Sequence, residues 1–143
     1  VIGWIPRKVT PKDGEFAIVG GKQGIHSHTM TQNIACLNAI SREYHMERLW
    51  ISAQDAEDLG VQTGDTVEVA SSEHVGQVEA RVTQRLKPGV VFLPTHYGGD
   101  SPAQTRAYRY GIALTDFIPF DMEPGVGSMM SQEVAVTVKK VEA

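Results

Sequence analysis

The stretch SAQDAEDLGVQTGDTVEVAS, residues 52–71, can be read almost residue by residue. Ser52 is placed to cap a helix, and Asp55, three positions on, closes a capping box and puts a negative charge in the first turn. Ala53 to Leu59 are good helix formers. Gly60 supplies a left-handed stop, and Val61 just beyond it can fold back onto the helix. Thr63-Gly64-Asp65 is a turn. Thr66 to Ala70 then alternates, with Val67 and Val69 on one face of a strand. A short helix between short strands sets the scale of the elements to expect elsewhere.

Working outward, the same signals recur. Glu15 to Val19, Arg48 to Ser52, Gln77 to Val82 and Glu133 to Lys139 read as strands, with Val78, Ala80 and Val82 facing inward. Val90 to Pro94 (VVFLP) is an unbroken apolar run after the Lys87-Pro88-Gly89 turn, which predicts a strand covered on both faces. Thr31 to Ile40 carries Ile34, Leu37 and Ile40 at helical spacing, with Thr29 or Thr31 as the cap. Residues 1–14, with Pro6 and Pro11, read as an extended entry arm before one domain over 15–143. About six short strands with frequent turns point to a closed β-barrel with short helical insertions, rather than a parallel α/β sheet.

Composition excludes several functions. The chain has 143 residues, enough for one domain with a core that needs no staples. Its formal net charge is −4 with both signs interspersed, so it lacks the basic stripe of a nucleic-acid binder. A single cysteine, Cys36, excludes an internal disulfide and a cysteine-cluster metal site. In a helical stretch, Cys36 reads as a small buried hydrophobe. No apolar run is long enough for a membrane span, and no leader-like segment is present. The first residue is Val1, so a domain of a longer protein or a processed chain is expected.

Chemistry concentrates between the strands. HSHTMTQN, His26 to Asn33, follows the strand-like FAIVGG and a glycine turn, and every side chain in it except Met30 can hydrogen-bond. His96-Tyr97-Gly98-Gly99-Asp100 leaves the buried strand, and Glu123 to Ser128 precedes the last one. Loops 20–33, 95–102 and 123–132 would form a polar rim of backbone N–H groups if they met at one end of a barrel, suited to phosphates and a polar heterocycle. The same residues can also be plain turns, with Thr31 and Asn33 as helix caps and His96 as a satisfied loop histidine. His26 and His28 lack a third ligand at matching spacing, so no metal site is read there. Asp55 reads as a cap rather than a ligand.

Taken in order, HSHTMTQN, LWISAQDAEDLGVQTGDTVEV, LKPGVVFLPTHYGG and VAVTVKKV resemble one domain. It is the C-terminal dinucleotide-binding domain of the molybdopterin oxidoreductases, the dimethyl sulfoxide reductase superfamily, and most of all its polysulfide and thiosulfate reductase branch. The resemblance spans about Phe16 to Val141. It implies a six-stranded double-psi β-barrel and a ligand, molybdopterin guanine dinucleotide carrying molybdenum or tungsten. It makes Gly24, His26, Ser27, His28, Thr29, Thr31, Gln32, Asn33, His96 and Gln132 the expected cofactor contacts. Gly24, Ser27, Thr29 and Thr31 suit the pyrophosphate, His96 a pterin. No catalytic residue and no metal ligand is expected within the chain, since the family takes that ligand from another domain. The implied parent is an oxidoreductase of polysulfide or sulfur oxyanions in a periplasmic, membrane-associated complex. Its other domains, an iron–sulfur subunit and a membrane anchor would be the partners.

The isolated chain is then expected to be folded, colourless, free of molybdenum and tungsten, and inactive. Two alternatives stay open. One is a stand-alone small subunit completing the cofactor site of a formylmethanofuran-dehydrogenase-like complex. The other is a cofactor-free double-psi barrel used for interaction. Replacing His28 or Asn33 with alanine is expected to cost cofactor more than fold.

Overall fold

The computed structural model describes residues 3, 6–27, 31–131 and 133–142. Six strands close a barrel in the order β1-β5-β2-β4-β3-β6. They are β1 (Phe16–Gly21), β2 (Leu49–Ser52), β3 (Thr66–Ala70), β4 (Val75–Thr83), β5 (Val90–Pro94) and β6 (Ala135–Lys140). β1 lies parallel to β5 and β2 parallel to β4, and the remaining pairs are antiparallel. This is the double-psi arrangement that the sequence resemblance implied. Two helices, α1 (Ala35–Glu43) and α2 (Ala53–Asp58), and a 3-10 turn at Leu114–Phe117 are inserted between strands. None of the described helices is long and apolar enough to cross a membrane.

The alternating positions fill the barrel. Val67 and Val69 of β3, Val91 and Leu93 of β5, Leu49 and Ile51 of β2 and Ala80 of β4 all have no exposure. Phe117 closes the core from the 3-10 turn. β5 is buried at Val91, Leu93 and Pro94, while Val90 and Phe92 stay half-buried, so its outer face is only partly covered. The Phe92 ring rests there on Trp50 at 5.2 Å.

Ser52 caps α2 as read, but Asp55 does not close the box onto the Ser52 N–H. The Ser52 hydroxyl accepts from the Asp55 N–H at 3.0 Å and donates to the Asp55 carboxylate at 2.7 Å. That carboxylate also accepts from the Gly89 N–H at 2.9 Å, so Asp55 ties α2 to the turn before β5. Gly60 takes φ +64° and the Val61 N–H bonds back to Ala56.

Boundaries differ where packing decides them. β1 runs on to Gly21, because bare glycines at 20 and 21 let the Leu114 and Phe92 side chains lie where a Cβ would stand. β4 begins at Val75, two residues early. β6 begins at Ala135, and the Glu133 side chain instead accepts the Lys8 N–H at 2.7 Å, pinning the arm. The larger correction is α1. It starts at Ala35, and its N-cap is Ile34 with no side-chain cap, so Thr31 does not cap it; Thr29 lies outside the described residues. The helix is also turned over. Asn38 and Ser41 are buried, while Ile34 and Ile40 are exposed and so is Cys36, against the reading of Cys36 as a core residue. The buried hydrogen-bond network below explains why the polar face goes inward.

Candidate functional site

Parallel β1 and β5 end side by side, so the chain leaves both at the same rim. Thr95 holds the two ends together, its N–H and hydroxyl donating to the Gly21 carbonyl at 2.9 and 3.1 Å. Above this rim opens a cleft of about 640 Å³. Its walls are Gly20 to Lys22, Gln32, Thr95 to Tyr97, Gly99 to Ser101, Gln104, and Ala113 to Thr115. Loops 20–33 and 95–102 therefore meet, as the barrel reading expected. The third loop does not join them: no described residue of 123–131 lines the cleft. That segment folds on itself, with the Glu123 carboxylate accepting from the Gly125 and Val126 N–H groups at 2.6 and 2.7 Å.

Glycine makes the walls possible. Gly98 sits at φ +75° against the backbone of Ile112 and Ala113, with no room for a Cβ. His96 adopts φ +80°, a left-handed conformation that costs a non-glycine residue of order 1–3 kcal/mol and concentrates at functional sites. Gln32 is 5% exposed, and its Nε2 amide has no hydrogen-bond partner among the described residues. A buried donor left unmade costs roughly 1–3 kcal/mol. Gln32 thus presents an unspent donor in a cleft wall.

The other predicted residues divide. Gln32 and His96 line the cleft together. Gly24 and Ser27 are exposed and lie outside its lining. His26, Thr31 and Asn33 stand behind the wall. His28, Thr29 and Gln132 are outside the described residues. The Asn33 carboxamide accepts the N–H groups of Arg106 and Ala107 at 2.8 and 3.2 Å, closing loop 104–110 over α1. Asn33→Ala is therefore expected to cost fold, by about 1–3 kcal/mol, against the sequence expectation. A urea midpoint unchanged from wild type would contradict this.

His26 is 6% exposed, with Nδ1 3.2 Å from Thr31 Oγ1 and Nε2 2.7 Å from Ser41 Oγ. The Ser41 hydroxyl is in turn 2.7 Å from the Tyr97 hydroxyl. Beside them the Tyr110 hydroxyl donates to the Glu47 carboxylate, with the Ser41 carbonyl 3.1 Å away, and Arg42 covers the Tyr110 ring at 4.1 Å. Burial raises the pKa of Tyr97, and burial with the Glu47 bond raises that of Tyr110, so both stay protonated. Ser41, Tyr110 and Glu47 carry no sequence signal as a group. His45, Glu47 and Glu79 also converge, but Arg48 already binds Glu79 at 2.6 Å and Tyr110 binds Glu47.

Burial holds the His26 imidazole below its ordinary pKa of 6.5, so it is neutral near pH 7. Unfolding restores the ordinary value, and below it the unfolded chain binds a proton that the folded chain refuses. Stability is expected to fall as pH drops from 6.5 through the lowered folded value. Thermal melts read against the NMR titration of His26 check this; a folded ring titrating at or above 6.5 would contradict it.

A closed double-psi barrel with an open cleft at the ends of two parallel strands has the architecture of a ligand-binding domain. Residues 16–130 match the family model described as "Molydopterin dinucleotide binding domain". The chain belongs to this family. It is 24% identical over 119 residues to the thiosulfate reductase molybdopterin-containing subunit PhsA of Salmonella typhimurium, covering 83% of this chain and 15% of that one. It is 34% identical over 91 residues to the F420-dependent formate dehydrogenase subunit alpha of Methanocaldococcus jannaschii, covering 64% of this chain and 13% of that one. The fold superposes on acetylene hydratase from Pelobacter acetylenicus with a TM-score of 0.71 at 11% identity, over 90% of this chain and 19% of that one. The chain spans about one seventh of the curated relatives it matches.

Proposed function

We propose that the cleft holds the pterin and pyrophosphate part of molybdopterin guanine dinucleotide, with Gln32 and His96 as direct contacts. The observation that carries this reading is the buried Gln32 amide, which lines the cleft and has no hydrogen-bond partner among the described residues. A pterin edge offers the acceptors that such a donor requires. Lys22 and Ser101 at the rim add a cation and a hydroxyl suited to phosphate. His28, Thr29 and Gln132 remain proposed contacts by resemblance, and residues 1–14 a proposed arm leading in from a preceding domain.

When bound, the cofactor with its molybdenum or tungsten supplies the redox chemistry. This chain contributes hydrogen bonds, orientation and exclusion of water from one side. We read the parent as a molybdopterin oxidoreductase. Reduction of polysulfide or a sulfur oxyanion is the leading activity, and formate oxidation stands beside it because relatives of both kinds are similar. Its remaining domains, an iron–sulfur subunit and a membrane anchor on the periplasmic side are the proposed partners. The chain by itself is read as catalytically silent.

The test uses hydroxymethylpterin diphosphate, which joins a pterin to a pyrophosphate, titrated into the 143-residue chain. Amide shifts are expected at Gly20 to Lys22, Gln32 and Thr95 to Ser101. Gln32→Leu is expected to weaken binding by up to about tenfold, since a hydrogen bond between neutral groups is worth roughly 0.5–1.5 kcal/mol. The same variant should melt no lower than wild type, because it removes an unsatisfied buried donor. Equal binding by both proteins, or shifts elsewhere on the barrel, would sink the assignment. GDP in a parallel titration reports whether the guanosine end is bound instead.

A further inference from the structure

Gln32 and His96 of the cleft wall belong to loops far apart in sequence, yet each is the chain neighbour of one end of a single hydrogen-bond relay. Thr31 precedes Gln32, and Tyr97 follows His96. Between Thr31 and Tyr97 stand His26 and Ser41, joined at 3.2, 2.7 and 2.7 Å in turn. His26, Ser41 and Tyr97 are 6%, 1% and 3% exposed, so the two bonds made by Ser41 are shielded from water, while the His26–Thr31 bond is only partly buried.

The donors can be assigned from the chemistry of the groups. The Tyr97 hydroxyl has Ser41 Oγ as its hydrogen-bond partner among the described residues, so its proton is best spent there. Ser41 then donates its own proton to His26 Nε2. A neutral imidazole that accepts at Nε2 carries its proton on Nδ1, and gives it to Thr31 Oγ1. That oxygen has a second lone pair, which takes the Ser27 N–H at 2.9 Å. The donor left over is the Thr31 hydroxyl, and Thr31 is only half-buried, so water can take its proton. Reversing the direction strands the buried Tyr97 proton, and a stranded donor is what native interiors avoid. It also explains why α1 faces inward with Ser41 rather than Ile40.

We propose that Ser41 is a positioning residue for the cleft: at the centre of a one-way relay from Tyr97 to Thr31, its hydroxyl locks the Gln32 loop and the His96 loop in one relative placement. The consequence for ligand binding rests on the reading that Gln32 and His96 face the cofactor; the relay itself does not.

Nitrogen-15 NMR of the histidine-labelled 143-residue chain reads the direction. His26 is expected in the Nδ1–H tautomer. In Tyr97→Phe, which keeps the ring but removes the first donor, the Nε2–H tautomer should become populated. Ser41→Ala should raise amide exchange at both Ser27 and Gly98 by about tenfold, the factor that ~1.4 kcal/mol produces. Exchange of the Val141 amide, which bonds to Thr66 where β6 pairs with β3, should stay unchanged. A buried hydroxyl with only a packing role would leave the tautomer alone and loosen α1 or the whole chain evenly. An Nε2–H tautomer in the wild type, or a response confined to one loop, overturns the relay. If Ser41→Ala does not fold, the wild-type and Tyr97→Phe tautomers decide. The same pterin diphosphate should bind Tyr97→Phe several-fold more weakly. Coupled loops in a chain that does not bind the probe would support the relay and defeat the cofactor assignment of the cleft.

Discussion

Gly98→Ala is expected to open the His96 loop and to destabilise the whole chain. At φ +75° an alanine already costs about 1 kcal/mol against glycine. Crowding adds more than that. A Cβ at residue 98 would overlap the backbone of Ala113 and Ile112, with the Ile112 Cα only 2.8 Å away. Backbone cannot rotate aside as a side chain can. Either loop 95–101 lifts from segment 112–115, whose residues 113–115 also wall the cleft, or the loop gives up its 2.8 Å bond from the Gly98 N–H to the Tyr110 carbonyl. Losses of this kind reach about 4 kcal/mol. For a chain of this length that is on the order of 10 °C in Tm. Two other glycines separate the causes. Gly89 has φ +80° with open space around it, so Gly89→Ala should cost only about 1 kcal/mol. Gly24 has neither a positive φ nor a neighbour within 4 Å, so Gly24→Ala should be neutral or slightly stabilising. If Gly98→Ala melts with Gly89→Ala, the close approach of the two loops is not as tight as the geometry says.

Phe117→Ala carries the second large effect. The ring has no exposure, closes the core beside β4 and packs edge-on against His74 at 5.0 Å. Its Cζ lies 3.2 Å from where a Cβ on Gly76 would stand, so the glycine and the ring are matched. Removing a buried phenyl costs about 3–5 kcal/mol in lost transfer energy and cavity. The cleft should respond as well, because Phe117 ends the same 3-10 turn whose first residue, Leu114, lines it. Urea titration should show a lower midpoint with an unchanged slope. A loss under about 1 kcal/mol would mean that this end of the barrel refills, and that Phe117 is not its plug.

What residues 52–71 revealed unaided was local. Ser52 and Asp55 are three positions apart, Gly60 and Val61 follow the helix they stop, and Val67 and Val69 share a strand face; each bond or contact they predict closes within a few residues. Strand content, turn positions and the closed barrel were legible for that reason, since period-two alternation and glycine turns act over short range. The ordered blocks around them carried the family and its ligand. The orientation of α1 was not legible. Apolar spacing favoured Ile34, Leu37 and Ile40 as the inner face, yet the helix buries Asn38 and Ser41, because their partners come from loops far along the chain. Tyr97 reaches Ser41 across 56 positions and Tyr110 across 69. A buried hydroxyl is stable only where such partners exist, and no local pattern announces them. The same distance separates HSHTMTQN into roles. Its many donors pointed to a site, but only the packing of β1 against β5 sends Gln32 into the cleft with no partner of its own among the described residues. His26 and Asn33 spend their hydrogen bonds holding that wall in place.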